Sequence, residues 1–185
     1  MFTKKVNIFI LIICTLFFKK LYAEEMLIDS FNNGNQENWE FISDQVMGGV
    51  SFGSYQIINE ESISFLRLTG FVSLENNGGF IQVRKSLKSM KNKKFKGIKV
   101  KSRGNDTEYF IHIRTKFTLL PWQYYQGKFF VNSEWQEIKL NLAEFKRSGS
   151  FLPKSINPST VKSIALVAFG KEHRVNVDLS EIILY

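Results

Sequence analysis

The chain has 185 residues, a formal net charge of +8 from 25 basic and 17 acidic side chains, and one cysteine, Cys14. Because Cys14 lies in an apolar run near the N-terminus, the rest of the chain has no thiol, which excludes disulfides, thiolate metal sites and cysteine nucleophiles there. The two histidines, His112 and His173, sit in no recognisable catalytic or zinc motif. Composition therefore favours a binding protein over an enzyme, with no metal and no cofactor.

The N-terminal segment is predicted to be an export signal. Lys4 and Lys5 precede an apolar run over residues 6–18, and the small residue Ala23 follows shortly after. The run is shorter than the roughly 20 apolar residues that cross a bilayer. We expect a signal peptide over residues 1–23 with cleavage near Ala23, a periplasmic or secreted location, and one domain over residues 24–185. A retained, shallow N-terminal anchor is the alternative.

Strand signals recur at short intervals along the rest of the chain, and helical periodicity is almost absent. The predicted strands, in chain order, are Met26–Phe31, Trp39–Ile42, Val50–Ile58, Ser62–Leu68, Phe71–Leu74, Gly79–Lys85, Gly97–Arg103, Glu108–Lys116, Gln123–Val131, Gln136–Leu142, Ser163–Phe169 and Val175–Tyr185. Only residues 142–145 and 158–162 look able to form single helical turns. Many short strands around one core predict an all-β sandwich or barrel.

Two segments, residues 43–51 and 71–84, each place a Gly-Gly pair between apolar alternating runs. Glycine pairs allow backbone angles that other residues resist, so both segments predict strands interrupted by tight turns or bulges. Asp44 falls just before the first pair, where aspartate commonly accepts hydrogen bonds from the backbone. A hydrolase using Asp44 with Glu75 or Glu108 is the competing interpretation.

A structural calcium site is a further alternative, since Asp29 on the first strand could meet Asp178 or Glu181 on the last. Carboxylate oxygens suit calcium, but no loop has the dense ligand spacing of a dedicated site.

The aromatic segment at residues 121–130 is the strongest candidate for a ligand surface. Period two places Trp122, Tyr124, Gln126 and Lys128 on one face and Tyr125, Phe129 and Val131 on the other. A face that mixes flat aromatic rings with hydrogen-bonding groups suits an amphipathic ligand, although packed core or edge aromatics are the alternative. The candidate ligand-binding residues are Trp122, Tyr124, Gln126 and Arg114.

Ten basic residues follow one another between Arg84 and Arg103 with no acid between them. The candidate basic patch consists of Lys91, Lys93, Lys94, Lys96, Lys99, Lys101 and Arg103. Such a patch could hold the protein at an anionic membrane or an acidic polymer, or could be an ordinary solvated surface. Without the signal, 21 basic residues face 17 acids, and this mild balance gives no indication of nucleic-acid binding.

Several motifs, spread over nearly all of the chain after residue 23, resemble the complex I intermediate-associated protein 30 family. They are Trp39, Asp44, Val46-Met47-Gly48-Gly49, Ser51, Phe65, Gly70, Leu74, Asn77-Gly78-Gly79-Phe80, Arg84, Tyr125-Gln126-Gly127-Lys128-Phe129, Trp135, Phe145 and Ile182–Tyr185. The resemblance implies a jelly-roll β-sandwich of the galactose-binding-like type. It also implies a signature cluster made of Trp39, Asp44, Gly48, Gly49, Asn77, Gly78, Gly79 and Arg84.

The family takes its name from a mitochondrial factor that helps to assemble respiratory complex I. The resemblance therefore implies a non-enzymatic assembly or chaperone-like factor with a protein partner, here in the cell envelope because of the export signal. A sugar-binding β-sandwich is the alternative, with a glycan as partner. For the signature cluster we expect Asp44 and Asn77 to bond backbone amides and Arg84 to satisfy a carboxylate or carbonyl group.

Overall fold

The computed structural model describes residues 25–32 and 38–185. The predicted export signal, residues 1–23, lies outside these described residues. Twelve strands are described: β1 (Met26–Asp29), β2 (Trp39–Ser43), β3 (Phe52–Glu60), β4 (Ile63–Val72), β5 (Phe80–Ser86), β6 (Gly97–Gly104), β7 (Thr107–Thr115), β8 (Tyr125–Val131), β9 (Gln136–Asn141), β10 (Lys146–Arg147), β11 (Val161–Phe169) and β12 (His173–Leu184).

The strands form two antiparallel sheets of six strands each. Sheet A has the order β3-β4-β12-β6-β9, with β1 also paired to β12. Sheet B has the order β10-β8-β7-β11-β5-β2. The predicted all-β sandwich is therefore confirmed. Within the described part of the chain, no helix is long and apolar enough to span a bilayer.

The hydrophobic core lies between the two sheets and follows the alternation of the strands. On β7, Tyr109, Ile111 and Ile113 are fully buried, and on β6, Ile98 and Val100 are as well. The residues between them point to the opposite faces, as period two requires. The core therefore fixes the register of each strand, and with it the residues that reach the two outer faces.

One predicted interruption between two strands is absent. Residues 62–68 and 71–74 were expected as separate strands, but β4 runs without interruption through Gly70. Gly70 pairs with Gly53 of β3, and a Cβ at position 70 would lie only 2.7 Å from the Gly53 Cα. At this position glycine allows two strands to lie unusually close together, and it does not mark a turn.

Short 3-10 turns connect several strands. The two predicted helical turns are confirmed as Leu142–Glu144 and Pro158–Thr160. Two further turns, Asp44–Met47 and Glu75–Asn77, lie inside the Gly-Gly segments, and the two-residue strand β10 is also additional to the prediction. The turn at residues 75–77 has positive φ at two asparagines, a residue type that adopts this conformation more readily than most.

The outer face of sheet A is filled by its own side chains. Asp178 of β12 accepts hydrogen bonds from Arg67 at 2.7 Å and Arg103 at 2.8 Å, its direct neighbours on β4 and β6. The Arg103 guanidinium also lies 4.6 Å from the centroid of the Trp135 ring, which packs edge-on against Phe65. These contacts leave the outer face of sheet B as the better candidate for a ligand surface.

Candidate functional site on the outer face of sheet B

Four neighbouring strands place a mixed aromatic and polar surface on the outside of sheet B. On its central strand β11, Ala165 pairs with Arg84 of β5 on one side and with His112 of β7 on the other. His112 pairs in turn with Gln126 of β8. One row across the sheet thus carries a guanidinium, a small residue, an imidazole and an amide.

The centre of this face is an aromatic cluster made of Phe110, His112, Tyr124 and Phe169. The Tyr124 ring stacks on His112 with centroids 4.0 Å apart and an interplanar angle of 9°. Phe169 meets both rings edge-on, at 6.0 Å from His112 and 6.3 Å from Tyr124. Phe110 completes the cluster at 6.0 Å from Phe169. Stacked and edge-on rings hold one another in place, so Tyr124 is a fixed platform.

Two buried polar atoms on this face have no hydrogen-bond partner in the described structure: Nε2 of His112 and Oε1 of Gln126. A buried, unsatisfied polar atom costs about 1–3 kcal/mol. Burial also lowers the pKa of His112 to about 3, so its imidazole is neutral at physiological pH. Both atoms lie beneath the surface, where the stacked Tyr124 ring covers His112.

Planar polar side chains border the aromatic cluster. Gln82 of β5 is half-buried opposite Val167, and Arg84 pairs with Glu40 of β2 at 2.7 Å. The ion pair is partly exposed, so its guanidinium remains accessible from the solvent side. Amide and guanidinium planes beside an aromatic platform are the groups that bind hydroxyl-rich ligands.

The candidate ligand-binding residues do not all share this face. Tyr124 and Gln126 lie on it, as period two predicts. Trp122 lies on the β7–β8 loop and is largely exposed. Arg114 begins on the face, but its guanidinium turns to the same loop and donates to the carbonyl oxygens of Thr118 and Leu120 at 3.0 and 2.9 Å.

Sequence reasoning missed the part of the site that depends on strand order. The sequence predicts His112 as a packed strand residue and does not distinguish Gln82 or Phe169 from other strand residues. Each alternates correctly within its own strand, but β5, β11 and β7 are neighbours only after folding. The alternation of Phe110, His112 and Arg114 was the one available signal.

Asp44 occupies a second polar centre, at the β2 end where the two Gly-Gly segments meet. Its carboxylate is fully buried and accepts from the Ser51 amide at 3.0 Å and the Ser51 hydroxyl at 2.5 Å. It also accepts from the amides of Gly79 at 2.6 Å and Phe80 at 3.2 Å. Burial alone would raise the pKa of Asp44, but these hydrogen bonds outweigh it and hold the pKa below its ordinary value.

Glycine is required on both sides of that carboxylate. A Cβ at Gly49 would overlap the Asp44 carboxyl group, and one at Gly78 would lie 2.5 Å from its Oδ2. The two Gly-Gly segments therefore close around Asp44 and connect β2 and β3 with β5. Both carboxylate oxygens accept hydrogen bonds and Asp44 is fully buried, so its carboxylate does not face solvent.

The other members of the signature cluster lie elsewhere. Trp39 donates its indole N–H to Asp29 at 2.9 Å, and Lys85 pairs with the same oxygen at 2.6 Å. Arg84 satisfies a carboxylate, that of Glu40, on the outer face of sheet B. Asn77 is exposed on the 3-10 turn with φ of 57°. The eight residues thus support several parts of the fold and do not form one site.

Two of the three carboxylates of the calcium alternative bond to other side chains. The Asp29 carboxylate accepts a hydrogen bond from Trp39 and pairs with Lys85, and the Asp178 carboxylate pairs with two arginines. Over residues 25–32 and 38–185, no group of three or more histidine, cysteine or acidic side chains is placed to hold a metal ion. Glu108, a candidate for the hydrolase interpretation, pairs with Lys128 at 2.7 Å.

The predicted basic patch is divided between two places. Lys91, Lys93, Lys94 and Lys96 are exposed on the β5–β6 loop. On β6, Lys101 is exposed, whereas Lys99 pairs with Glu25 at 3.1 Å and Arg103 pairs with Asp178. Acidic neighbours thus offset part of the charge that the sequence places in this region.

Several solved structures with a similar fold are carbohydrate-binding modules. The family 11 module of the cellulosomal cellulase Lic26A-Cel5E of Clostridium thermocellum has a TM-score of 0.71 at 15% identity, covering 88% of this chain and 95% of that chain. A second structure of a family 11 module, in complex with a β-1,3-1,4-mixed-linked tetrasaccharide, has a TM-score of 0.68 at 15% identity, covering 86% and 94%. These similarities confirm the predicted jelly-roll fold.

A family 30 carbohydrate-binding module of a Clostridium thermocellum cellulase has the same fold, with a TM-score of 0.52, 12% identity and coverage of 74% of this chain and 91% of that chain. No curated protein sequence matches the chain at a significant level. The sequence profile of the complex I intermediate-associated protein 30 family matches residues 29–179.

Proposed function

Given that the chain belongs to the complex I intermediate-associated protein 30 family, we propose that it is a non-catalytic binding domain whose ligand is a glycan. The ligand surface in this proposal is the outer face of sheet B. The observation that carries it is the fixed Tyr124 platform, stacked on His112 and bordered by the polar side chains Gln82, Arg84 and Gln126.

A sugar ring offers an apolar face of C–H bonds and a rim of hydroxyl groups. The aromatic cluster can pack against the C–H face, because a flat ring contacts C–H groups over a wide area. The amides and the guanidinium supply hydrogen-bond donors and acceptors for the hydroxyl groups.

Solved structures with this fold include carbohydrate-binding modules, one of them in complex with a tetrasaccharide. At 15% identity this similarity bears on the fold alone, so the assignment of a glycan to this chain rests on the geometry of the outer face. The buried, fully bonded state of Asp44 is consistent with binding rather than hydrolysis.

The test is a polysaccharide array followed by affinity electrophoresis with the retained polymer. We expect the Tyr124→Ala variant to lose retardation and Gln126→Ala to bind about tenfold more weakly, the equivalent of one hydrogen bond of about 1.4 kcal/mol. Gln56→Ala is the matched control, because Gln56 is an exposed strand glutamine on sheet A. Its affinity should equal that of the parent.

A blank array combined with unchanged tryptophan fluorescence at high sugar concentration would remove the glycan proposal. Equal affinity of the Gln56→Ala and Gln126→Ala variants, with the Tyr124→Ala variant also unaffected, would move the binding surface away from sheet B.

A protein partner is the second candidate, and an exposed apolar patch favours it. The patch consists of Val46 (73% exposed), Met47 (57%), Val50 (40%), Phe52 (59%) and Leu74 (49%). These residues lie on the segments that Asp44 ties together, so the patch has a fixed shape. Exposed apolar patches of this kind are characteristic of protein interaction sites, and the family name fits an assembly factor.

This second candidate is tested by in vivo cross-linking of tagged protein. A specific client should be captured by the parent and lost in the Val46→Ser/Met47→Ser variant. Leu27→Ser is the control, since Leu27 is comparably exposed, at 55%, on a different strand. Capture of the same client by both variants would exclude this patch.

We place this activity in the cell envelope, on the basis of the N-terminal sequence alone. N-terminal sequencing of protein purified from a fractionated envelope should find Glu24 as the first residue. A chain that begins at Met1 in the cytoplasmic fraction would contradict this location.

A further inference from the structure

Large apolar side chains stand exposed on two loops at one end of sheet B. The loops are β7–β8, residues 116–124, and β10–β11, residues 148–160. The exposed side chains, here called the apolar tip, are Phe117 (45%), Leu119 (80%), Leu120 (44%), Trp122 (62%) and Phe151 (96%). Neither the glycan surface nor the patch near Asp44 accounts for them.

The two loops form one surface because hydrogen bonds join them. The Ser148 hydroxyl donates to the Trp122 carbonyl oxygen at 2.9 Å and accepts from the Tyr124 amide at 3.0 Å. The Tyr125 hydroxyl donates to the Pro153 carbonyl oxygen at 3.0 Å. The apolar tip is therefore presented as a unit.

Phe151 is directed to solvent by an ordered turn. Arg147 donates to the carbonyl oxygens of Ser150 and Leu152 at 2.8 and 2.6 Å, which braces the chain on both sides of Phe151. Leu152, the next residue, is 2% exposed and packs in the core. The exposure of Phe151 is thus a consequence of anchored neighbours.

Side chains of the protein form hydrogen bonds with backbone amide and carbonyl groups of the β7–β8 loop. Gln123 Oε1 accepts from the amides of Leu119 and Leu120 at 2.8 and 3.0 Å. The Arg114 guanidinium donates to the carbonyl oxygens of Thr118 and Leu120. These groups keep their partners when water is withdrawn, and this is the condition that a lipid environment sets for a loop.

The charged side chains on the two loops all have one sign. No aspartate or glutamate occurs within residues 109–133 or 145–171, which include both loops. Lys116, Lys146 and Lys154 are exposed there, and the Lys116 ammonium lies 5.1 Å from the centroid of the Phe117 ring. Such a cationic rim is complementary to an anionic surface, whereas two copies of the chain meeting at this end would bring like charges together.

We propose that the apolar tip docks the protein on an anionic lipid bilayer. Leu119, Trp122 and Phe151 enter the interfacial layer, where aromatic and aliphatic side chains partition, and the lysines contact lipid phosphates. The apolar tip shares no residue with the proposed glycan-binding face, so the inference stands independently of the proposed function.

The test uses tryptophan quenching by brominated acyl chains in mixed phosphatidylcholine and phosphatidylglycerol vesicles. The signal of Trp122 is the difference between the parent and Trp122→Phe, since Trp39 is buried and Trp135 lies on sheet A. We expect Trp122 to be quenched by anionic vesicles at low salt and much less at high salt. This readout locates the docked face, whatever the state of residues 1–23.

The Leu119→Ser/Phe151→Ser variant should bind at least about tenfold more weakly, because each large side chain contributes apolar burial. Phe130→Ser is the matched control, since Phe130 is 53% exposed near the other end of β8. Both variants should melt like the parent. Absence of Trp122 quenching, equal binding of the double variant, or a dimer that the double variant dissociates without any vesicle binding would overturn the proposal.

Discussion

Two buried polar residues have opposite roles in this protein. Asp44 is charged, and its carboxylate accepts hydrogen bonds from the N–H and O–H groups of Ser51, Gly79 and Phe80. His112 is neutral, and its Nε2 has no partner in the described structure. The first fixes the architecture of the Gly-Gly segments, while the second supports the Tyr124 ring on the proposed ligand face.

Replacing Asp44 by alanine should lower the free energy of unfolding by about 3–5 kcal/mol, because buried donors of Ser51, Gly79 and Phe80 lose their acceptor. Asp44→Asn should also destabilise, since its amide N–H group would face backbone N–H groups. Chemical denaturation measures both effects. Glu75→Ala is the control, because Glu75 is exposed nearby and should change stability by less than about 0.5 kcal/mol.

The lowered pKa of Asp44 gives this stabilisation a defined pH range. A carboxyl group with a depressed folded pKa contributes its full stability above its unfolded value of about 4, and the contribution is lost as pH falls further. The stability difference between the parent and Asp44→Ala should therefore shrink below about pH 4. A difference that is unchanged at pH 3, or a parent-like melting curve of Asp44→Ala at neutral pH, would contradict the assigned role.

The buried His112 should also make folding stability depend on pH, in a range above that of Asp44. Its folded pKa of about 3 lies below the ordinary value of 6.5, so the unfolded chain takes up a proton that the folded protein does not. Stability should fall by up to about 1.4 kcal/mol per pH unit below about pH 6.5. His112→Phe should flatten this part of the profile. An identical slope in parent and variant between pH 6.5 and 4.5 would show that His112 does not titrate in this way.

At the residue scale, the sequence predicted Asp44 because aspartate before a Gly-Gly turn has local partners. It did not predict the state of His112, since the neighbours that bury it, Tyr124 and Phe169, come from other strands. Local chemistry can be inferred from the chain, whereas the environment of a strand residue depends on the order of the strands.

At the level of elements, alternation identified eleven of the twelve described strands because one face of each is buried against the core. The strand β10 was not predicted, because its two residues, Lys146 and Arg147, are too few to show an alternating pattern. The expected break near Gly70 was wrong because glycine in a strand can mark either a turn or a close approach, and only the pairing with Gly53 distinguishes the two.

The close approach at Gly70 can be tested directly. Gly70→Ala should cost more than about 2 kcal/mol of unfolding free energy, because the added methyl group would overlap the Phe52 carbonyl oxygen and the Ile81 side chain. Gly149→Ala is the matched control, since nothing lies within 4 Å of a Cβ at that position. Thermal unfolding of the two variants should differ by several degrees. Equal melting temperatures would contradict the tight packing of β3 on β4.

At the scale of the whole molecule, the two outer faces of the sandwich differ in what they offer. Sheet A closes its face with the Asp178 ion cluster and the Trp135 ring. Sheet B presents a fixed aromatic platform bordered by the polar side chains Gln82, Arg84 and Gln126. The sequence predicted both the sandwich and the aromatic segment, but the difference between the faces arises from pairings such as Ala165 with Arg84 and His112.

The glycan-binding role of sheet B is tested most directly by chemical-shift mapping of isotope-labelled protein with an oligosaccharide retained in the array. The account predicts that the shifting amides lie on β5, β7, β8 and β11, with Gln82, His112 and Gln126 among them. Shifts confined to sheet A or to the segment at residues 46–52, or no shifts at saturating sugar, would contradict it.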